Sequence, residues 1–264
     1  IKVRLIFSET VKGFRRLFPH GRFRWILIVL SGIAAGISVS ELLVMKFFSK
    51  LILEESKVDS KKFIFLIIGF LIFFIVTRIG QYFQRSYRVT AFERSFRAAK
   101  KERTKKEENA EWLMAFELTN LLSYGVQLVA ILAFFLLLKP WVAIINLIII
   151  VGILHFLGRI FRRQIDVHRE NSAANGAQEL RAADRHGHRV RAGESGALAS
   201  GAGMLILLGV LLFFSVDGQI SVSNTLVIFL GARLQNSVLS NISRSLAKVA
   251  RAQVIVSNTS EDDD

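Results

Sequence analysis

Apolar residues fill positions 25–53, WILIVLSGIAAGISVSELLVMKFFSKLIL. A helix rising ~1.5 Å per residue needs ~20 such residues to cross a bilayer, so this stretch is long enough to span one. Further apolar runs cover 63–83, 116–138, 142–157, 204–216 and 220–239. The segments between them are of two kinds. Residues 54–62, EESKVDSKK, form a short polar loop with three acids against three lysines; Lys139-Pro140-Trp141 is a tight turn; Asp217-Gly218 is a turn signal. Trp141 suits an interface, because its ring is amphipathic. The other two separators are long, charged and helix-favouring. From Arg78 to Trp112 there is no glycine after Gly80 and no proline, and 158–194 continues the fourth run without a break. The pattern predicts an all-α membrane protein: six transmembrane helices, two long helical excursions on one side, and a last basic extension at 244–253.

Charge orients the spans. The formal net charge is +14, which in a soluble protein would suggest nucleic acid. Here the excess flanks apolar spans: 78–112 holds ten Lys/Arg against five Glu, and 158–194 eight Arg against five acids. The facing turns are short and close to neutral. Positive-inside asymmetry therefore predicts a multi-pass protein of the cell (inner) membrane with both termini cytoplasmic, whose partner is the lipid bilayer and not nucleic acid. In residues 1–24, Phe7, Val11, Phe14 and Phe18 recur at steps of 4, 3 and 4, which keeps them on one helical face beside Lys12, Arg15 and Arg16. An amphipathic interfacial helix is expected there, with a solvated basic flank as the simpler alternative. Residues 25–251 then form the six-span domain, and 252–264 an acidic tail or linker. No secretory signal is visible. Cysteine is absent, which removes disulfide and thiolate chemistry.

Within this frame a few residues stand out chemically. Glu41 lies near the middle of the first span; a charge at bilayer depth costs ~2.5–3.5 kcal/mol and so usually faces a cavity or the bundle interior. It is a candidate for the substrate pathway, or else a structural acid paired with a cation such as Lys46. Glu117, at the start of the third span, reads as interfacial. The sixth span is polar for a lipid-facing helix: Asn224, Arg233, Gln235 and Asn236 are pathway candidates, and Ser237, Ser240 and Asn241 share this character. Either 233–241 lines an aqueous pathway, or the span ends earlier and these residues belong to the extension. Residues 195–203 are almost all small, and Gly196, Ser200, Gly201 and Gly203 carry the spacing that lets helices approach closely in lipid. An unwound hinge is the alternative, since Gly disfavours helix by ~1 kcal/mol. His168, His186 and His188 invite a metal, but structural zinc wants four ligands and commonly Cys, so a solvated loop is expected and no metal is assigned.

The order of features, together with residues 216–229 (VDGQISVSNTLVIF) and 244–253 (RSLAKVARAQ), resembles the transmembrane half of an ATP-binding-cassette exporter. The resemblance spans essentially the whole chain and rests on topology and spacing. The lone acid in the first span is similar to the branch that includes lipid-linked oligosaccharide flippases. It implies an elbow-like helix at 1–24, a second transmembrane domain (a homo- or heterodimer), and a permease moving an amphiphilic or lipid-linked substrate by alternating access. Two departures accompany it. Both excursions are shorter than the family's, so no coupling residue is assigned. There is also no G-x-x-x-x-G-K-[ST] phosphate loop: Gly201-Ala202-Gly203 leads into Met-Leu-Ile with neither lysine nor hydroxyl. No catalytic residue is therefore assigned, and ATP and magnesium are expected on ATPase domains after Asp264 or on a partner. The rival readings are a proton-coupled carrier of the same fold, a six-span voltage-gated channel, for which Asp217-Gly218 leaves no room for a filter, and a membrane scaffold.

Overall fold

The computed structural model describes residues 21–53, 60–98, 105–173 and 182–261. Among them the chain forms six α-helices and no strand: α1 Gly21–Leu53, α2 Ser60–Ala98, α3 Lys105–Leu138, α4 Pro140–Ala173, α5 Ala182–Val216 and α6 Val222–Glu261. Five contain segments long and apolar enough to cross a membrane: Trp25–Ser49, Ile67–Arg94, Glu108–Leu138, Pro140–Val167 and Gly193–Val216. This all-helical architecture is compatible with a multi-pass membrane protein. The amphipathic helix expected at 1–24 falls outside the described residues except for 21–24, which open α1.

Two sharp turns share one end of the bundle. Between α3 and α4 only Lys139 is non-helical: its N–H donates to Phe135 O at 2.8 Å, and Pro140 starts the next helix where no N–H is needed. After α5, Gly218 takes φ +71°, a left-handed conformation that glycine adopts without a Cβ penalty. Gln219 N–H reaches back to Phe214 O at 3.1 Å and Gly218 N–H to Ser215 O at 3.2 Å, the paired bonds of a Schellman cap. Ser221 then caps α6, its Oγ accepting from Asn224 N–H at 3.3 Å. Lys139 Nζ donates to Gln219 O at 2.9 Å and ties the two turns together. We call this the turn end; the opposite, arginine-rich end is the basic end.

The sixth expected span stands apart from the other five. The run at 220–239 does form a helix, but α6 is not among the apolar five. Its position gives the reason: α6 packs against α1, α3, α4 and α5, so most of its surface meets protein rather than solvent or lipid. The core follows α6 in two clusters. Toward the turn end Val227, Ile228 and Ala232 pack with Leu42, Ile131, Phe135, Leu207 and Leu211. Toward the basic end Leu239, Ile242, Leu246 and Ala250 pack with Leu118, Leu157, Phe161 and Leu27. α2 is the opposite case. It lies along α1, meeting α3 through Phe92, whose ring stands edge-on to Trp112 and Phe116. Nearly all of its apolar surface, from Ile64 to Phe83, is exposed.

The helices also bear on three smaller expectations. Residues 195–203 are continuous helix within α5, which fits the expected close packing and not the alternative of an unwound hinge. His186 and His188 lie in the first turns of α5 rather than in a loop. The segment expected as a tail from 252 continues as helix to Glu261.

Candidate functional site

Glu41 finds its partner on α2, not on its own helix. Its side chain is half-buried in the seam between α1 and α2, and Gln81 Nε2 donates to its Oε1 at 3.3 Å. Gln81 Oε1 in turn accepts from Arg78 Nη1 at 3.1 Å, and the Arg78 guanidinium lies 5.2 Å from the Phe74 ring centre. Gln81 thus bridges the carboxylate to a guanidinium, and among the described residues no ion pair joins Glu41 to Lys46, five residues along α1. The same seam holds Ser40 and Thr77 hydroxyls 2.7 Å apart, with Thr77 also donating to Phe73 O. Toward the basic end Gln84 Nε2 donates to Leu30 O at 3.0 Å. A row of polar contacts therefore joins α1 to α2 along an otherwise apolar surface.

The polar residues of α6 are held in different ways. Gln235 is buried and exchanges two amide hydrogen bonds with Asn146 of α4, at 2.7 and 2.9 Å. Asn236 accepts from Ser200 of α5 through both its backbone oxygen, at 3.1 Å, and its side chain. Asn224 sits in the first turn of α6, and Arg233 is exposed. The candidates Gln235 and Asn236 are thus spent on helix–helix contacts, Arg233 faces outward, and Glu41 lies on a separate seam; the four are not brought to one point.

The small residues of α5 sort by contact. A Cβ on Gly196 would strike Ser243 of α6 and Leu157 of α4, and one on Gly203 would come within 2.6 Å of Ile153 Cδ1 and 2.9 Å of Ile149 Cγ2. Ser200 is buried, whereas a Cβ on Gly201 would meet nothing within 4 Å. Gly231 of α6 is similarly tight against Phe135 and Leu42.

At the basic end a chain of polar contacts crosses three helices. Buried Glu117 of α3 accepts from Lys248 Nζ of α6 at 2.7 Å, and Asn120 Nδ2 lies 3.5 Å from its other oxygen. Arg88 of α2 donates to Asn120 Oδ1. Glu117, at the start of the third span, is buried among the helices and reached by a cation from α6.

Sequence reading passed over Asn146, Gln81 and Thr77. Each is an isolated polar residue in or beside a long apolar run, a signal of inward orientation that a charge-centred search overlooks. No family model matches this chain, and comparison with curated proteins finds no match.

Proposed function

We propose that this chain is the membrane permease domain of an ATP-binding-cassette-type exporter or flippase. It moves an amphiphilic or lipid-linked substrate by alternating access, paired with a second transmembrane domain. ATPase domains carrying ATP and magnesium drive it from outside these residues. In this reading the basic end and both termini are cytoplasmic, and the protein is multi-pass in the cell (inner) membrane. The observation that carries it is α6: the helix held by four others is too polar to count among the apolar five, and it presents an exposed arginine. A scaffold gains nothing from a polar helix at its centre, whereas a transport bundle needs a polar surface beside a path. Long unbroken helices such as α2 and α6, 39 and 40 residues, suit rigid-body rocking of helix groups.

The test is to reconstitute the full-length protein, with its ATPase, in vesicles and follow fluorescent lipid across the bilayer. Movement that requires ATP supports the reading; movement indifferent to ATP sinks it. The Glu41–Gln81 contact favours one second reading, a proton-coupled carrier of the same fold, because an intramembrane carboxyl held by a neutral amide has no fixed counter-charge in direct contact. Transport that collapses with the pH gradient and ignores ATP would select it.

A further inference from the structure

α6 carries four basic residues, Arg233, Arg244, Lys248 and Arg251, and its single acid is Glu261 near its end. All four basic residues are exposed, on a helix whose other described side chains are mostly buried. Their spacings of 11, 4 and 3 place them on one face, and Ser237 is exposed between them. At ~1.5 Å per residue the row is ~27 Å long, close to the hydrocarbon thickness of a bilayer. Toward the turn end the same face becomes apolar, through Val222, Leu226 and Phe229. Lys248 is answered by Glu117, but among the described residues Arg233, Arg244 and Arg251 have no ion-pair partner.

From this juxtaposition we propose that the exposed face of α6 binds anionic lipid, the arginine row taking the phosphate headgroup and the Val222–Phe229 end of the face the hydrocarbon. Guanidinium presents a planar fork of donors that matches a phosphate, and it is more weakly hydrated than an ammonium, so it suits a half-wet site. A zwitterionic lipid brings its own cation and gains less. A second copy docked symmetrically on this face would set like charges against one another. The proposal deepens the transport reading, and rests on it for its role, by naming the substrate class as an anionic amphiphile; lipid binding itself is read without transport.

The experiment is native mass spectrometry of the intact chain with phosphatidylglycerol and phosphatidylcholine added to the micelle. Wild type is expected to retain phosphatidylglycerol about tenfold over phosphatidylcholine, and Arg233→Gln with Arg244→Gln to bring the two near parity, since each cation near an anionic group contributes about fivefold. Arg159→Gln with Arg162→Gln, exposed cations on α4, should change the preference by less than about twofold if the effect belongs to α6. Equal retention of both lipids by wild type would overturn the proposal, as would an equal loss in the α4 control. Glycerol phosphate abolishing the preference would assign the row to a soluble anion, and a changed dimer fraction with unchanged lipid retention would assign it to a second copy; either refutes it. Lipid selectivity that persists in a protein showing no ATP-driven transport would refute the transport reading and leave this one standing.

Discussion

Asn146 of α4 and Gln235 of α6 exchange both amide hydrogen bonds inside the bundle, with Asn146 wholly buried and Gln235 4% exposed. The exchange satisfies a donor and an acceptor on each side chain where water has no access. It also fixes the rotation of α6 relative to α4, because a shift of one residue would turn Gln235 away by ~100°. That rotation is what presents Arg233, two residues earlier and on the opposite face, to the outside.

Replacing one partner should therefore harm the bundle more than replacing both. Asn146→Leu is expected to lower stability by about 1–2 kcal/mol, because it strands a buried amide. Asn146→Leu with Gln235→Leu should recover part of that loss. Unfolding of the four proteins of this cycle in detergent measures the coupling; strictly additive losses would show that the pair does not act as a unit.

The glycines of α5 make a sharper contrast. Gly196→Ala drives a methyl into Ser243 and Leu157, and overpacking of this kind costs about 1–3 kcal/mol. Gly201→Ala, five residues on, places its methyl in open space and should be neutral or stabilising by up to about 1 kcal/mol, because alanine favours helix. Thermal denaturation of both variants decides it, and equal destabilisation would argue against the α5 contacts described above.

How much of this was legible in the sequence depends on how local each cause is. Helix identity and the turns at Lys139 and Gly218 follow from runs, proline and glycine, which act within a few residues. The placement of α6 does not. The polarity of 233–241 was visible, but it served equally for a pathway or an extension, since the residues that occupy Gln235 and Asn236 come from α4 and α5. Glu41 shows the same limit: Lys46 was the nearest cation along the chain, and Gln81 became the partner only when α2 folded back, 40 residues later. Gly196 and Gly201 look alike as letters in a small-residue run, yet only one meets a neighbour.

Glu41 and Gln81 can be separated by their variants. Glu41→Gln keeps an acceptor for Gln81 and removes the charge, so stability should change by less than about 0.5 kcal/mol. Gln81→Leu leaves the carboxylate half-buried without its donor and should destabilise by about 1–3 kcal/mol. If Glu41→Gln folds normally but moves lipid at least tenfold more slowly in the vesicle assay, the carboxylate serves transport. Wild-type rates would remove it from the mechanism.

The Glu117–Lys248 pair predicts an asymmetry at the basic end. Glu117 has 6% of its side chain exposed and Lys248 52%. Lys248→Met strands a buried carboxylate, with only Asn120 near its second oxygen, and should cost more than Glu117→Gln, which frees a lysine that already reaches solvent. The expected difference is about 1–2 kcal/mol in detergent unfolding. The reverse order would mean that the pair stabilises through the lysine stem rather than the charge.

The absence of cysteine from these 264 residues makes one accessibility experiment clean, because a thiol introduced into this chain is the only one in it. Thiols react with maleimides as thiolates, so they need water as well as exposure. Ser237→Cys, on the cationic face of α6, should label with a charged, membrane-impermeant maleimide in vesicles opened to both sides. Leu205→Cys is also exposed, on α5 at 70%, but lies in an apolar span and should stay unreacted. Equal labelling of the two would place both faces in the same environment and deny α6 an aqueous path. Labelling of Ser237→Cys that falls when phosphatidylglycerol is added would connect that path to the lipid held on the arginine row.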